Sequence, residues 1–329
     1  MTTRLLNIAR SGLPKETEIM DVYWRFAVDR QNIFFRRLHG EARPWTSDPI
    51  LSKYKFTNAY RVLDRASQFL ITDVIGDDMR TLSDTFFRIM LFKLFNKIET
   101  WQLLSAKLGD ITYSPRLIDD IIAILSNALE TCVTIYSAAY IMPTRSANYR
   151  HPRKHHNHLK LLALMMRDEL PIKLSQTRTM QQGFHLLRSY PMIGDFLAYQ
   201  FITDLNYSRL TNYSEMEFVV PGPGAKDGIR KCFRDLRGRS EADIIRHVCE
   251  RQSDEFSRLG LEFKNLGMRP LQLIDCQNLF CEVAKYTRVS HPNTPGISGR
   301  TRIKQIFTPK DSIVKVALPK KWGININAN

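Results

Sequence analysis

Apolar residues that recur at helical spacing run through the first two-thirds of the chain and constrain its fold more than any other feature. Ile19, Val22, Phe26, Ile33 and Phe34 return to one face of a helix. Further apolar segments, each bounded by Gly, Pro, Asn or Asp, follow at Phe56–Val74, Leu82–Leu94, Ile118–Ile135, Leu159–Met166 and Phe196–Leu205. This pattern predicts a mainly α-helical protein, and the lack of a fixed repeat argues against a solenoid.

The pattern changes after Gly299. Arg302–Phe307 and Ser312–Leu318 alternate apolar and polar residues on either side of Thr-Pro-Lys-Asp, which predicts a small β-hairpin near the C-terminus. We expect a helical region over 1–298, with two lobes and a cleft between them as one arrangement, and a basic tail over 299–329. The polar stretch Arg150–His158 is predicted to be a loop at a lobe boundary.

Charge points to an anionic partner. The 329 residues include 48 Lys and Arg against 33 acidic residues, a formal net charge of +15. A field of this sign favours polyanions, although a basic surface without a specific partner is the alternative. The five cysteines form no dense, even framework, and no apolar run reaches the roughly 18 residues that span a bilayer. We therefore expect a soluble, intracellular protein.

The motif of greatest weight is Val-Val-Pro-Gly-Pro-Gly-Ala-Lys-Asp-Gly-Ile over 219–229. Gly222 and Gly224, with Ala225 behind them, open a predicted helix whose backbone N–H groups are suited to a phosphate, although an ordinary loop and helix start is the alternative. A second predicted helix over 271–289 carries Asp275 near its beginning, where the helix dipole favours a carboxylate.

Together the two segments resemble the hairpin and the catalytic helix of the helix-hairpin-helix DNA glycosylases. This resemblance implies a two-lobed, glycosylase-like helical fold, with Lys226 at the lysine of the bifunctional members and Asp275 at the essential aspartate. Asp275 follows Lys226 by 49 positions, a separation that requires an insertion at roughly Arg237–Gly267. No cysteine follows Cys281, so no iron–sulfur cluster is expected.

Several separated blocks also resemble the α-glutamyl/putrescinyl thymine pyrophosphorylases, or amino acid:DNA transferases, a region also named the helical domain of 5-hydroxymethyluracil DNA kinases. The blocks are Tyr23–Gln31, Pro44–Pro49, Lys55–Arg65, Leu94–Thr100, Pro191–Ala198 and Cys281–Tyr286. The resemblance implies hypermodification of thymine in viral DNA. A kinase pyrophosphorylates 5-hydroxymethyldeoxyuridine, and an enzyme of this kind then flips the base and replaces pyrophosphate with an amino acid or polyamine.

The predicted site follows from that chemistry. Asp275 and Lys226 are the predicted catalytic residues, with Asp275 as a proton acceptor or an electrostatic stabiliser. The residues predicted to bind substrate and pyrophosphate are Arg30, Asn58, Arg61, Asp64, Arg65 and Lys285. Those predicted to bind DNA are Gly222, Gly224, Ala225, Arg300 and Arg302. Trp24, Trp45 and Tyr60 are candidates for stacking on the flipped base, with burial in the core as the alternative.

Two other functions fit the same features: a glycosylase that releases a modified pyrimidine, and a DNA-binding module without catalysis. The expected partners are double-stranded DNA, a free amine and, functionally, a hydroxymethyluracil DNA kinase, with no membrane. No resident cofactor is expected, and whether a divalent metal accompanies pyrophosphate stays open. The histidines at 151–158 lack the paired spacing of a structural zinc site.

Overall fold

Helices form most of the chain in the computed structural model, which describes residues 12–76, 79–144, 149–309 and 315–326. In these residues the α-helices are, in chain order, α1 (Ile19–Leu38), α2 (Pro49–Lys53), α3 (Arg65–Phe69), α4 (Leu82–Phe95), α5 (Ile98–Leu108), α6 (Leu117–Glu130), α7 (Lys154–Arg167), α8 (Leu170–Ser175), α9 (Met180–Arg188), α10 (Asp195–Leu205), α11 (Pro223–Cys232), α12 (Glu241–Glu250), α13 (Gln252–Arg258) and α14 (Leu273–Ser290). A π-helical stretch, Leu70–Ile75, follows α3, and 3₁₀ turns occur at Arg61–Leu63 and Lys320–Trp322. The mainly helical prediction is confirmed.

The chain forms two compact units. Unit 1 takes in Met1–Asp64, Phe218–Val316 and Ile324–Asn329, and unit 2 takes in Arg65–Glu217 and Ala317–Gly323, in each case as far as their residues are described. The predicted boundary between 298 and 299 stays a prediction.

Helix α14 is the central helix of unit 1. Its Phe280 ring lies 4.6 Å from the ring of Tyr23 on α1, and the Tyr23 hydroxyl donates a hydrogen bond to the Cys276 carbonyl at 3.1 Å. Both aromatic residues are fully buried. Such aromatic pairs dominate the burial of apolar surface in a helical core, so α1 and α14 are fixed to each other along their length.

Helix α11 packs on α14 at unusually short range. A Cβ atom on Gly228 would lie 2.0 Å from the Phe280 carbonyl oxygen, and one on Gly224 would lie 3.0 Å from the Cys281 Sγ. Residues four apart occupy the same face of a helix, so the two glycines form a flat strip against α14. Gly224, one of the two glycines that suggested an anion-binding turn, therefore has a packing role, and Ala225, predicted to bind DNA, is completely buried.

Two short strands form a small antiparallel pair at the C-terminal end of α11. Lys15–Glu16 (β1) pairs antiparallel with Phe233–Asp235 (β2), which directly follows α11. A small antiparallel strand pair is thus present, but the placement predicted near the C-terminus is wrong for the described residues. There, Ile306 makes only an isolated bridge with Tyr54, and Ser312–Leu318 lies partly outside the described residues.

Unit 2 is built around α4, which is buried on almost every side. Lys93 of α4 forms a buried ion pair with Asp204 of α10 at 3.1 Å, and its Nζ donates to the Asn96 Oδ1 at 2.7 Å. The loop predicted over Arg150–His158 becomes the start of α7 from Lys154 onward. In the described residues, no helix has both the length and the apolar character needed to cross a membrane.

Replacing Gly228 by Ala is expected to lower the free energy of unfolding by about 2 kcal/mol or more, because the new methyl group meets backbone that cannot rotate away. The matched Gly224→Ala change meets the Cys281 Sγ and Cβ at 3.0 and 3.2 Å, much farther than the carbonyl that faces Gly228, and it gains helix propensity, so its effect should stay within about 1 kcal/mol. Urea unfolding of both variants measures the difference. Equal stabilities would contradict the close packing described for α11 and α14.

Candidate active site

A connected set of polar side chains lies between α1, the segment 57–64 and α14 in unit 1. The buried Arg30 of α1 donates from Nε to the Thr57 carbonyl at 2.9 Å and from Nη2 to the Asn58 Oδ1 at 3.1 Å. Asn58 in turn donates its backbone N–H to the Asp64 Oδ1 at 2.9 Å. Three residues that the sequence predicted to bind substrate are therefore neighbours in the fold.

Helix α14 supplies the other side of this set. Glu282 accepts a hydrogen bond from the Thr57 backbone N–H at 3.0 Å and pairs with Lys285 at 2.7 Å. The Lys285 Nζ also lies 4.6 Å from the centre of the Phe56 ring, which is within cation–π distance. We call Arg30, Thr57, Asn58, Asp64, Glu282 and Lys285 the Asp64 cluster.

Asp64 is a carboxylate of the cluster with one open oxygen. It is half-buried, and its Oδ2 accepts no hydrogen bond from any described residue. Its pKa is raised from 3.8 to about 7, by burial first and also by the charge of Glu282, while the Asn58 hydrogen bond, Arg61 and Arg30 lower it. A carboxyl group with a pKa near neutrality and a free oxygen is suited to take up and release a proton.

Arg30 is the buried cation of the cluster. Burial lowers its pKa to about 10, while the charges of Glu282 and Asp64 oppose that change. At neutral pH the guanidinium stays protonated. Its Nη1 makes no hydrogen bond with a described residue, so a charged donor remains to receive an anionic oxygen.

Asp275 has a different environment from Asp64. It is the third residue of α14 and is only 4% exposed. Its Oδ1 accepts the Arg61 backbone N–H at 2.8 Å and its Oδ2 accepts the Gln272 backbone N–H at 2.9 Å. The carboxylate thus satisfies the first turn of α14 and holds the 61–64 segment to it, as helix-capping acids do. Its catalytic role stays a prediction, and the geometry favours a positioning role.

Arg61 and Arg65, the other two arginines predicted to bind substrate, lie in different environments. The Arg61 side chain is buried, at 2% exposure, whereas Arg65 begins α3 in unit 2. Arg65 forms an exposed ion pair with Glu99 at 3.2 Å. Asp48 is a helix cap, because its Oδ1 accepts the Ile50 N–H at 2.7 Å at the start of α2.

The three aromatic residues predicted to stack on the flipped base also differ in their exposure. Trp24 and Tyr60 are at most 1% exposed, so they belong to the core and cannot stack on a flipped base as they stand. Trp45 lies half-exposed in the loop between α1 and α2. For Trp24 and Tyr60, the interpretation as core residues is therefore the correct one.

The predicted DNA-binding residues lie at and beside the start of α11. Gly222 is its buried N-cap, while Gly224 and the Lys226 side chain are exposed. The buried Asp227 of α11 accepts hydrogen bonds from the Ser298 N–H and hydroxyl, both at 2.9 Å. This contact brings the tail segment that carries the exposed Arg300 and Arg302 alongside α11. No described contact joins Lys226 to Asp275.

The sequence analysis missed Glu282 and Thr57. Glu282 falls within the block Cys281–Tyr286, and its spacing of three residues from Lys285 is a usable signal for a helical ion pair. Its second partner is a backbone N–H some 225 residues away in the chain, which no local pattern indicates. Among the described residues, no group of His, Cys, Asp and Glu has an arrangement that could hold a metal ion.

Comparison with known proteins places this site in context. The family model described as "5-hmdU DNA kinase, helical domain" matches residues 17–296. A relative from Bacillus phage SP10, named 5-hmdU DNA kinase, is 28% identical over 287 residues, which cover 82% of this chain and 45% of the relative. The chain thus spans less than half the length of that curated relative. No solved structure matches the chain.

The raised pKa of Asp64 predicts a pH-dependent stability difference between the wild type and Asp64→Asn. Between about pH 4 and pH 7 the folded chain holds a proton on Asp64 that the unfolded chain has released, so this group's contribution to stability falls as the pH rises through that window. The asparagine variant lacks this titration and can still accept the Asn58 N–H. Urea unfolding of both proteins from pH 4.5 to 7.5 should show the wild type losing stability relative to the variant, and parallel curves would refute the shifted pKa.

Proposed function

Since the chain belongs to the family of 5-hmdU DNA kinase helical domains, we propose that it acts on hydroxymethyluracil-derived bases in DNA as an amine transferase. In this reaction an amino acid or polyamine replaces pyrophosphate on the thymine methyl carbon. The proposal assigns these 329 residues to the step that consumes the kinase product, and they contain no Gly-x-x-x-x-Gly-Lys-Ser/Thr loop. The observation that carries the proposal is the open carboxylate of Asp64 beside the buried guanidinium of Arg30.

Arg30 and Lys285 are suited to stabilise the negative charge of the leaving group. Pyrophosphate departs with several negative charges, and fixed cations in a partly water-excluded site stabilise such charge better than solvent does. The Thr57 carbonyl accepts a hydrogen bond from Arg30. Glu282 pairs with Lys285 and also accepts the Thr57 N–H. Both cations are therefore positioned by one short segment before substrate arrives, which reduces the reorganisation that binding requires.

Asp64 is suited to accept the proton that the attacking amine releases. The amine nitrogen forms a bond to the methylene carbon, and the carbon–oxygen bond to pyrophosphate breaks, with its electron pair leaving on the phosphate oxygen. The proton released from the amine passes to the Asp64 carboxylate. A pKa near 7 keeps a substantial fraction of this carboxylate ionised at neutral pH while leaving it basic enough to accept that proton.

In this proposal Asp275 positions the site and Lys226 contacts DNA. Asp275 binds the Arg61 backbone and so fixes the end of the segment that carries Asn58 and Asp64. Lys226 is exposed on the first turn of α11, near the tail segment that Asp227 holds. An exposed lysine beside a helix N-terminus is better suited to a phosphate of the DNA backbone than to covalent chemistry on the base.

The proposal is tested by product analysis. Duplex DNA carrying pyrophosphorylated 5-hydroxymethyluracil is incubated with the protein and a pool of amino acids and polyamines, then digested to nucleosides for mass spectrometry. The expected products are an aminated thymidine and inorganic pyrophosphate. Free base with abasic sites would identify a glycosylase instead, and unchanged DNA with every amine would refute the transferase.

The two aspartates should respond differently to substitution. Asp64→Asn is expected to lower kcat by about 10²–10⁴-fold with little loss of stability, because the proton acceptor is removed. Asp275→Asn is expected to lower the free energy of unfolding by about 1–3 kcal/mol, because a buried backbone N–H loses its acceptor. The exposed Asp254→Asn serves as a matched control. A stable but inactive Asp275→Asn beside a fully active Asp64→Asn would reverse the assignment.

A further inference from the structure

The segment 296–307 of unit 1 is attached to α11 at its beginning. A Cβ atom on Gly296 would lie 2.2 Å from the Asp227 Oδ1, so the chain lies directly against this buried carboxylate. The Ser298 N–H and hydroxyl both donate to Asp227 at 2.9 Å. Both oxygens of Asp227 are therefore used to hold the segment in place.

Two further attachments fix the rest of the segment. The Arg302 carbonyl accepts a hydrogen bond from the Nη1 of Arg288 on α14 at 3.2 Å. Residues 305–307 then run antiparallel to 53–55, with two backbone hydrogen bonds of 3.0 Å. Thr57 of the Asp64 cluster lies only two positions further along the chain. The segment thus leads from α11, past α14, to the neighbourhood of the Asp64 cluster.

The side chains that this segment exposes are cationic. Ile303 is buried, at 8% exposure, whereas Arg302 and Lys304 on either side of it are exposed, as is Arg300. The side chains of these three basic residues make no hydrogen bond or ion pair with a described residue. The anchored backbone therefore presents three charges that have no counter-ion in the described part of unit 1.

Arg288 adds a fourth cation, which the sequence analysis did not identify. Its Nη2 makes no hydrogen bond with a described residue, and its buried Nε also has no partner. Burial lowers the pKa of Arg288 and the charge of Arg300 lowers it further, while Asp227 and Glu282 raise it. Those two acids already bind other groups. Arg288 and Arg300 are thus close enough to repel each other, and an anion between them removes that repulsion.

We propose that Arg288 and Arg300 hold one phosphodiester group of a DNA strand between them, and that the segment 296–307 guides this strand towards the Asp64 cluster. This inference rests on the proposed function, since it takes DNA as the substrate of that cluster. Contacts to phosphate set the position of a strand without reading its sequence, which is how one nucleotide is presented to a site. Arg302 and Lys304 continue the positive edge beyond the arginine pair, which suits a chain of phosphates better than a single free pyrophosphate.

The test measures binding of unmodified DNA, separately from any chemistry. Fluorescence anisotropy with a labelled 20-base-pair duplex is recorded for the full chain over a series of salt concentrations. The slope of log K against log salt should shrink by about 0.9 in Arg288→Gln/Arg300→Gln, the value for one phosphate contact, and binding should weaken about eightfold near 0.1 M salt. Arg300→Gln alone should weaken binding in the same direction. Because the Arg300 side chain has no described partner, that loss does not come from misfolding.

A matched control removes the same charge elsewhere. Arg116 and Arg234 are exposed arginines that make no described contact with the segment 296–307. The double variant Arg116→Gln/Arg234→Gln should keep a salt slope close to that of the wild type. A control that weakens binding as much as Arg288→Gln/Arg300→Gln overturns the inference, because the effect then follows net charge alone.

The other outcomes separate this inference from the proposed function. Wild-type affinity and slope in Arg288→Gln/Arg300→Gln overturn it and leave the transferase proposal intact. A slope smaller by about 1.8 overturns the shared phosphate, because the two arginines then bind separate groups. Titration calorimetry with inorganic pyrophosphate tests the leaving group: a double variant that loses pyrophosphate affinity but keeps DNA affinity also overturns the inference. A wild type that neither binds DNA nor yields product overturns the proposed function itself.

Discussion

One face of α14 holds the segment 48–61 by three separate polar contacts, and the geometry of the Asp64 cluster depends on them. Asp275 binds the Arg61 N–H, Glu282 binds the Thr57 N–H, and Tyr286 donates to Asp48. The spacings of seven and four residues place these side chains along a single stripe of the helix. Because two of the contacts take backbone groups, they fix the path of the segment whatever its own side chains are, and the side chains of Asn58 and Asp64 are thereby aimed at Arg30.

The position of α14 depends in turn on the absence of side chains on α11. Gly228 lets the backbone of α11 approach the Phe280 carbonyl of α14 at a distance that no larger residue allows. The rings of Tyr23 and Phe280 then fill the space between α14 and α1, which carries Arg30. Apolar packing therefore sets the separation of the two helices, and the polar contacts of α14 decide which groups face each other across it.

The sequence predicted the elements of the fold more completely than the roles of its residues. Helical periodicity located α1, α4, α10 and α14, and the family blocks located Arg30, Asn58 and Asp64, which contact one another in the structure. The glycine pattern was open to two interpretations, since small residues at a helix start allow either the binding of an anion or the close packing of a second helix. Likewise Trp24 and Trp45 were both open to stacking or burial, and the structure buries Trp24 in the core and leaves Trp45 half-exposed.

The proposed division of roles between the two aspartates follows from their surroundings. Asp275 stands at a helix start and binds one backbone N–H with each oxygen, so its carboxylate is already committed to the fold. Asp64 binds a single N–H, keeps its Oδ2 open, and has its pKa raised to about 7 by burial. A sequence argument that looks for an acid at a helix N-terminus finds Asp275, because that position favours a carboxylate for structural reasons as much as for catalytic ones. The proton acceptor of the proposed reaction needs an unused lone pair and a pKa near neutrality, and Asp64 has both.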